Sequence, residues 1–396
     1  MKSNLVKQDI RKTLFVEPTE FGHVMLHLSA FFSSEIWNKE NINFLAPKSV
    51  KTRVVDENII DMIDANKIFI DPLVNKNKNA KIFHLLQIFK LQKKNKYTDI
   101  CFKYLDYHIL LVPFLKLFYR KVRISGIFFR PVLHYSKLNY PYSGIPRSYW
   151  YFMLIKNFVL FLFLKTGIMT SCFFQDEGAI EIFGGRKKNA FWIPTPLSSD
   201  FIMPPSKNSG QIKKFLFFGQ ISKRKGIYRV LEAWKKLPSI YQDKTYLNII
   251  GRTSSEDVDR VSELIADLKK NGWLINFDNR FVENEEIPKI YEETDIVLSP
   301  HDLQFGTSGV TVQSAVWLRP TIVHELGWVG FTVKNKSLGL SIDSANIELF
   351  AKIIIEIIDG VIKLNVQEKI AYDLRKINSS NLWAENLYYG IIRGNG

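Results

Sequence analysis

Twice along this chain, short apolar runs with strand character alternate with segments of helical period, and one stretch rich in Pro, Ser and Gly separates the two series. Alternation of this kind implies parallel sheets, because a parallel strand pair needs a long crossover and a helix supplies it. In the first series strands are expected at 12–16, 42–46, 67–70, 99–104, 123–129, 167–174 and 190–193, with helical spacing at 24–32, 81–91 and 109–118. The break contains Pro194, Pro196, Ser198, Ser199, Pro204, Pro205, Ser206, Ser209 and Gly210. A second series follows, with strands at 214–218, 246–250, 274–277, 296–299 and 321–324. Its helices are expected at 228–236, 257–271, 287–293, 309–316 and 347–358. A chain of 396 residues exceeds one compact core. The expected fold class is α/β, two Rossmann-like domains facing across a cleft. Their expected spans are 1–196 and 211–375, with 197–210 as linker and 376–396 as a terminal helix.

Charge narrows the partners. Lysines and arginines outnumber acids 54 to 39, a formal net charge of +15, which attracts nucleotides, phosphorylated substrates, anionic lipid or nucleic acid. Cys101 and Cys172 both lie in apolar runs and are expected as buried thiols rather than a disulfide framework. Residues 1–11 are polar and basic with no apolar signal-like run, so a cytoplasmic location is expected. The most apolar stretch, 150–174, is interrupted by Lys156, Asn157 and Lys165 and is too broken to span a bilayer. It fits either a core helix or a helix lying at a membrane surface with its lysines snorkelling.

The segment Phe215-Leu216-Phe217-Phe218-Gly219-Gln220-Ile221-Ser222-Lys223-Arg224-Lys225-Gly226 runs from an apolar strand through a glycine turn and a cationic loop into a helix carrying Val230, Leu231 and Trp234. Backbone N–H groups at a helix start, together with ammonium groups at a strand's carboxyl end, suit an anionic ligand; an ordinary strand–helix turn with solvated lysines is the plain alternative. This segment resembles the phosphate-binding turn of family-4, GT-B-type glycosyltransferases. The resemblance extends through Ile193-Pro194-Thr195-Pro196, Leu247-Asn248-Ile249-Ile250-Gly251, the run VENEEIPKIYEETDIVLSP at 282–300, and the helix and turn from Ser308 to Arg319-Pro320. Trp383-Ala384-Glu385 with Leu387 and Tyr388 is similar to the tryptophan-bearing helix that crosses back onto the N-terminal domain in that family.

The resemblance implies a transferase that moves a sugar from a nucleotide diphosphate donor to a bound acceptor without a metal ion or further cofactor. It implies donor binding by Gly219, Gln220, Lys225, Arg252, Phe281, Thr307, Ser308, Gly309, Val310 and Gln313. Lys225 holds the position of the diphosphate-binding lysine. The family's arginine after the glycine is here Gln220, a neutral donor without bidentate geometry, and Lys223, Arg224 or Arg252 are candidates to compensate. The run Gly306-Thr307-Ser308-Gly309-Val310 opens a helix and is the second phosphate cradle, with a plain Ser/Thr N-cap as its simpler reading. Many relatives carry two glutamates in this segment. Here the second position is Gln313, and the first falls one residue out of step near Gln304 or Phe305, so neither donor identity nor stereochemical outcome carries over.

In the first half, His23 follows the loop Glu17-Pro18-Thr19-Glu20-Phe21-Gly22 and is a candidate acceptor contact or base. His27 shares its helix face and is expected to pack. Asp106, Arg130 and His134 lie after the strands at 99–104 and 123–129, where cleft residues belong, and are the other catalytic candidates; relatives often present a histidine where Arg130 stands. Asp257-Val258-Asp259 spells a metal-binding pattern of a different glycosyltransferase fold, but it stands at an expected helix start, where acids complement the dipole. The leading functional expectation is assembly of cell-surface polysaccharide or lipopolysaccharide, with a glycan or lipid-linked acceptor and peripheral contact to an anionic membrane; nucleic acid is not expected as a partner. A nucleotide-sugar epimerase or hydrolase of the same fold, and a non-catalytic polyanion- or glycan-binding protein, are the alternatives.

Overall fold

The computed structural model describes residues 11–19, 24–32, 34–37, 41–47, 49–50, 80–138, 146–184, 189–197, 212–302 and 305–392. They form two compact units: 1–134 with 142–197 and 378–396, and 135–141 with 198–377. The expected strand at 67–70, His23 and most of the expected linker lie outside the described residues.

The first unit is built on a parallel sheet of β1 (Lys12–Val16), β2 (Asn41–Leu45), β3 (Asp99–Phe102), β4 (Arg123–Phe128), β5 (Ser171–Phe174) and β6 (Ala190–Trp192), in the order β2-β1-β3-β4-β5-β6. The register pairs Thr13 with Asp99, and Ser125 with Ser171. Both faces of this sheet are covered, and every residue of β3 and β5 is buried, so these strands read as continuous apolar runs. On one face Leu14, Ile100, Phe102 and Ile124 meet Ile88, Leu105, Val112, Leu160 and Leu164 from the helices Ala80–Asn95, Arg147–Thr166 and the helical stretch 105–118. On the other, Phe15, Cys101, Ile127 and Phe173 meet Leu28 and Phe31 of the helix Val24–Phe32 and Trp383, Leu387 and Ile391 of the helix Ser380–Ile392. The terminal helix is tied down by Leu197, which pairs with Ser379 and accepts a hydrogen bond from the Ser380 hydroxyl at 2.6 Å.

The second unit repeats the plan with β7 (Lys213–Phe218), β8 (Thr245–Ile250), β9 (Ile275–Asp278), β10 (Ile296–Ser299), β11 (Thr321–His324) and β12 (Gly339–Ile342), all parallel, in the order β12-β11-β10-β7-β8-β9. Its largest core cluster sets Phe215, Leu247, Ile249 and Leu298 against Trp234 of the helix Ile227–Lys236, Leu264 of Val258–Lys270 and Ile354 of Ile347–Ile358. Burying a side chain of this size contributes roughly 1.5–3 kcal/mol.

Strand order reverses at β1/β3 in the first sheet and at β7/β10 in the second. Open parallel sheets bind ligands outside the carboxyl ends of the strands at such a reversal. The second sheet therefore points to the loops after Phe218 and Ser299, and the first to Glu17 and Lys103.

Several elements differ from expectation. The strand expected at 167–174 begins only at Ser171, because Gly167 ends the preceding helix in the left-handed region at φ 81°. The helix expected at 109–118 opens as a 3-10 turn over Ile109–Leu111. Helices Gly327–Asn335 and Glu368–Ile377 and strand β12 were not expected. Both cysteines are buried and free. Among the described residues no helix is long and apolar enough to cross a membrane.

Candidate functional site

The strongest site lies in the second unit, where two glycine-built backbone turns meet. β7 ends in Gly219 at φ +97°, and the chain passes through a 3-10 turn of Lys223–Lys225 to Gly226 at φ +83° before the helix Ile227–Lys236. Both glycines hold left-handed conformations that L side chains rarely adopt. The Gly219 turn is fixed by its N–H to the Ile250 carbonyl at 3.0 Å, and Ile221 N–H donates to the Arg252 carbonyl at 3.0 Å. The second turn is Gly306-Thr307-Ser308 ahead of the helix Gly309–Val316, with Gly306 at φ +76°. The two turns face each other: a β-carbon on Gly219 would lie 3.7 Å from Val310 Cγ2.

Ser308 is the N-cap, accepting the Thr311 N–H at 3.4 Å. A helix start leaves its first N–H groups without intrahelical partners, and the first turn of this helix, at Val310, stands beside Gly219. The N-cap and cradle readings are therefore compatible. Gly306 N–H is already engaged, donating to the Tyr135 hydroxyl at 2.6 Å, and Phe305 stacks on the Tyr135 ring with centroids 5.9 Å apart. No local sequence signal pairs residues 171 positions apart.

Lys225 is half-buried, and no carboxylate or other hydrogen-bond partner engages its ammonium among the described residues. Burial, reinforced by the neighbouring Arg224 charge, pushes its pKa down to about 7. His301, buried after β10 with Nε2 3.3 Å from Ser299 Oγ, is held well below its usual pKa by burial and then by the Lys225 and Arg224 charges. This turn thus concentrates positive potential that has no protein counter-ion at Lys225. An anion would relieve it.

The other expected donor residues separate by position. Gln220 is exposed, and its Oε1 lies 3.4 Å from Arg224 Nη2. Of the three compensating cations considered for the missing arginine, Arg224 is the one brought to Gln220; Arg252 is exposed and supports the turn only through its carbonyl. Gln313 accepts a long bond from the buried Tyr291 hydroxyl at 3.4 Å. Phe281 is 60% exposed, next to Arg280, whose guanidinium clamps Glu286 through both carboxylate oxygens at 2.7 and 2.6 Å. That clamp holds Glu286 down to a pKa of about 2.

Asp257 stands at the start of the helix Val258–Lys270, as expected, but its carboxylate makes no cap bond there. It accepts the Lys223 N–H at 3.0 Å, the Ser254 hydroxyl at 2.6 Å and the Tyr228 hydroxyl at 2.7 Å. Asp257 is thus the strut of the cationic turn, beyond any complement to the helix dipole.

The first-unit candidates are less uniform. Asp106 is buried, and its two oxygens accept the Phe129 and Arg130 N–H groups at 2.7 and 3.0 Å. Those bonds spend the carboxylate on the turn after β4, and burial raises its pKa, so it acts as an anchor rather than an open base. Arg130 is exposed and donates to the Tyr149 hydroxyl at 2.7 Å. His134 is buried with Nε2 2.9 Å from Asp176, a partner the sequence reading missed. His27 is sandwiched between Phe129 and Trp383, as expected of a packing residue. Glu17 and Lys103, also missed as candidates, are buried at the carboxyl ends of β1 and β3, and Lys103 Nζ lies 5.0 Å from the Trp383 ring centre. Among the described residues no three His, Cys, Asp or Glu side chains gather as metal ligands.

Two doubly wound units, each on a six-stranded parallel sheet, give the chain the GT-B fold. Residues 198–374 match the family model described as glycosyl transferases group 1. Solved structures similar to the chain include the N-terminal domain of trehalose-6-phosphate phosphatase from Candida albicans, at 12% identity over 99% of this chain and 98% of that one, with a TM-score of 0.67. HepE from Anabaena in complex with UDP is 12% identical over 95% and 98% of the two chains, with a TM-score of 0.66. The lipopolysaccharide outer core galactosyltransferase WaaB in its apo form is 12% identical over 97% and 99%, with a TM-score of 0.65. No match is found among curated proteins. The chain has the GT-B fold, and residues 198–374 of its second unit match the group 1 glycosyl transferase model.

Proposed function

We propose that this protein transfers a sugar from a nucleoside diphosphate donor to a glycan or lipid-linked acceptor in cell-surface polysaccharide or lipopolysaccharide assembly. The observation that carries the donor reading is Lys225, a half-buried ammonium without a carboxylate partner, beside the Gly219 turn and the helix start at Gly309. The acceptor reading is supported by WaaB, a lipopolysaccharide galactosyltransferase of the same fold, and the donor reading by HepE, which has been solved with UDP and with UDP-glucose.

In the reaction the bond between the sugar's anomeric carbon and the diphosphate oxygen breaks as an acceptor hydroxyl forms a new one, and the hydroxyl proton passes to a base. Charge grows on the leaving diphosphate, and groups aimed at that charge lower the barrier. Lys225 and the N–H groups of Gly309 and Val310 are assigned that role, with Arg224 standing in for the arginine replaced by Gln220, and no metal is required. Gly219, Thr307 and the N-cap Ser308 are assigned to shaping the backbone; Gln313, Arg252 and Phe281 are assigned to the nucleoside and sugar. Exposed Arg130 is the acceptor-side cation. His134, oriented by Asp176, and His23 are the candidate bases.

The test is thermal stabilisation by a panel of nucleoside diphosphates and nucleotide sugars. A ligand bound only by the folded state at a hundredfold above its Kd adds about 2.7 kcal/mol. One nucleotide should raise the midpoint, and Lys225→Ala should reduce the shift. No shift with any nucleotide at millimolar concentration would reject the donor site.

A further inference from the structure

The helices on one face of the first sheet have apolar outer surfaces as well as apolar inner ones. Helix Ala80–Asn95 buries Ile88 but exposes Ile82 and Leu86; the stretch 105–118 buries Val112 and Leu115 but exposes Phe114 and Leu117; helix Arg147–Thr166 buries Leu160 and Leu164 but exposes Ile155 and Phe158. Thirteen of the twenty-one exposed large apolar side chains among the described residues fall between 80 and 166, which is concentration rather than scatter. The helices are neighbours: Phe89 meets the Phe118 ring at 5.3 Å, His84 Nδ1 lies 3.1 Å from His108 Nε2, and Lys156 Nζ donates to the Asp106 carbonyl at 2.8 Å. A surface helix of a soluble domain turns charge outward, as Val258–Lys270 does with Asp259, Arg260 and Glu263.

Charge on this face has one sign. Between 80 and 175 the chain has fifteen lysines and arginines against two acids, Asp99 and Asp106. Both acids are buried, Asp99 in an ion pair with Arg123. Thirteen of the chain's net fifteen positive charges therefore arise in this segment, although buried Lys103 and the Asp99-paired Arg123 of β4 do not belong to the outer face. Cationic groups sit among the apolar side chains: Lys165 Nζ is 5.7 Å from the Phe161 ring centre, and Lys156 Nζ, which also bonds the Asp106 carbonyl, is 4.4 Å from that of Phe152. Exposed apolar side chains interspersed with exposed lysines match the interface of an anionic bilayer.

From this coincidence we infer that the outer face of helices Ala80–Asn95, Val112–Phe118 and Arg147–Thr166 docks in the plane of an anionic membrane, its apolar side chains entering the headgroup boundary and its lysines and arginines meeting lipid phosphates. A second copy of the chain on the same face is disfavoured, because a two-fold interface would set this positive charge against itself. The inference deepens the acceptor reading above, since a lipid-linked acceptor would be met at this surface, but its measurement does not depend on donor binding.

Flotation of the full chain with vesicles of phosphatidylcholine alone, and of phosphatidylcholine and phosphatidylglycerol in equal parts, tests it. The protein should float with the anionic vesicles, at least about tenfold less with the neutral ones, and less in high salt. Leu117→Glu with Phe158→Glu, at positions 69% and 57% exposed, should cut flotation at least about tenfold while leaving nucleotide stabilisation and the unfolding midpoint unchanged. If that pair unfolds the chain, Lys93→Gln with Lys94→Gln provides the same reading through charge, since both lysines are exposed. No flotation of the wild type overturns the inference, as does flotation indifferent to both pairs. A concentration-dependent dimer abolished by the apolar pair, without vesicle binding, assigns the face to a second copy and also overturns it. Vesicle binding lost in the variants, in a protein that ignores every nucleotide, upholds the membrane face and rejects the donor reading alone.

Discussion

The backbone at Gly226 passes so close to Pro300 that a β-carbon there would stand 2.0 Å from the Pro300 carbonyl oxygen. This contact presses the cationic turn against the end of β10 and brings Lys225 toward His301. Gly226 also caps the helix Ile227–Lys236 at φ +83°. Gly226→Ala would meet both the left-handed penalty, roughly 1–2 kcal/mol, and a clash with backbone that no rotamer relieves. A loss of stability above about 2 kcal/mol is expected, together with weakened nucleotide binding. Urea unfolding and nucleotide titration check it, and a variant as stable as the wild type would show that the turn is not seated on Pro300.

Lys225 should make nucleotide binding pH-dependent. Its folded pKa near 7 lies below the unfolded value, so between about 7 and 10.5 the unfolded chain holds more protons and stability rises with pH through this group. Diphosphate binding favours the ammonium, so binding near pH 8 should take up a proton and weaken as pH rises. A charge-assisted contact worth about 1.5–3 kcal/mol corresponds to roughly a ten- to hundredfold loss of affinity once the lysine is neutral. Calorimetry in buffers of different ionisation enthalpy reads the proton directly. Lys225→Met should bind more weakly and take up none, and equal proton uptake in that variant would remove Lys225 from the site.

What the sequence showed and what it concealed follow from how local each cause is. β10, β11 and the helix Gly309–Val316 were legible to the residue because strands buried on both faces become continuous apolar runs and Ser308 caps the helix in place. β12 was not: Gly339-Leu340-Ser341-Ile342 is an edge strand with every residue half-buried, and it opens on a glycine at φ +146°. Helix Gly327–Asn335 was hidden by its glycines, of which Gly330 lies so close that a β-carbon would stand 2.2 Å from the Glu325 carbonyl oxygen. In the site, Gly219, Lys225 and Ser308 could be read because a glycine turn and a helix start are local devices. The bonds from Tyr135 to Gly306 and from His134 to Asp176 are tertiary, and no spacing encodes them.

Asp257 should control the cationic turn without touching ligand. Desolvation works against its charge, but hydrogen bonds from Ser254, Lys223 and Tyr228 outweigh it and hold the pKa below the ordinary carboxylate value. A depressed carboxylate pKa means that its stabilisation is present above the unfolded value near 3.8 and lost as pH falls through the folded one. Asp257→Ala removes the acceptor for three donors and should cost about 1–2 kcal/mol. Nucleotide affinity should fall because the Lys223–Lys225 turn loosens. Asp257→Asn keeps an acceptor and should recover part of both; an alanine variant with wild-type affinity would show that the turn holds its shape unaided.

At the strand-order reversal of the first sheet, Glu17 and Lys103 are both buried without a direct ion pair; Lys103 Nζ makes no hydrogen bond among the described residues, and each charge favours the other at longer range. Glu17 accepts the N–H and hydroxyl of Thr19 at 2.9 and 2.5 Å, yet burial raises its pKa, and burial lowers that of Lys103 to about 8. Burial opposes both charges, and each charge offsets part of that for the other. For Glu17, a raised folded pKa makes its contribution fall as pH rises from the unfolded value through the folded one. For Lys103, stability rises between about 8 and 10.5. Removing one partner strands the other, so Lys103→Met should cost about 3–5 kcal/mol at pH 8. At an acidic pH the cost should shrink, because burial already raises the Glu17 pKa and a protonated carboxyl needs no cation. Glu17→Gln combined with Lys103→Met should recover most of the loss, since replacing a buried pair by neutral groups is often close to neutral. Urea unfolding of the two single variants and the double at both pH values measures the coupling. If the losses simply add, the two charges are not coupled, and the ends of β1 and β3 are set by packing alone.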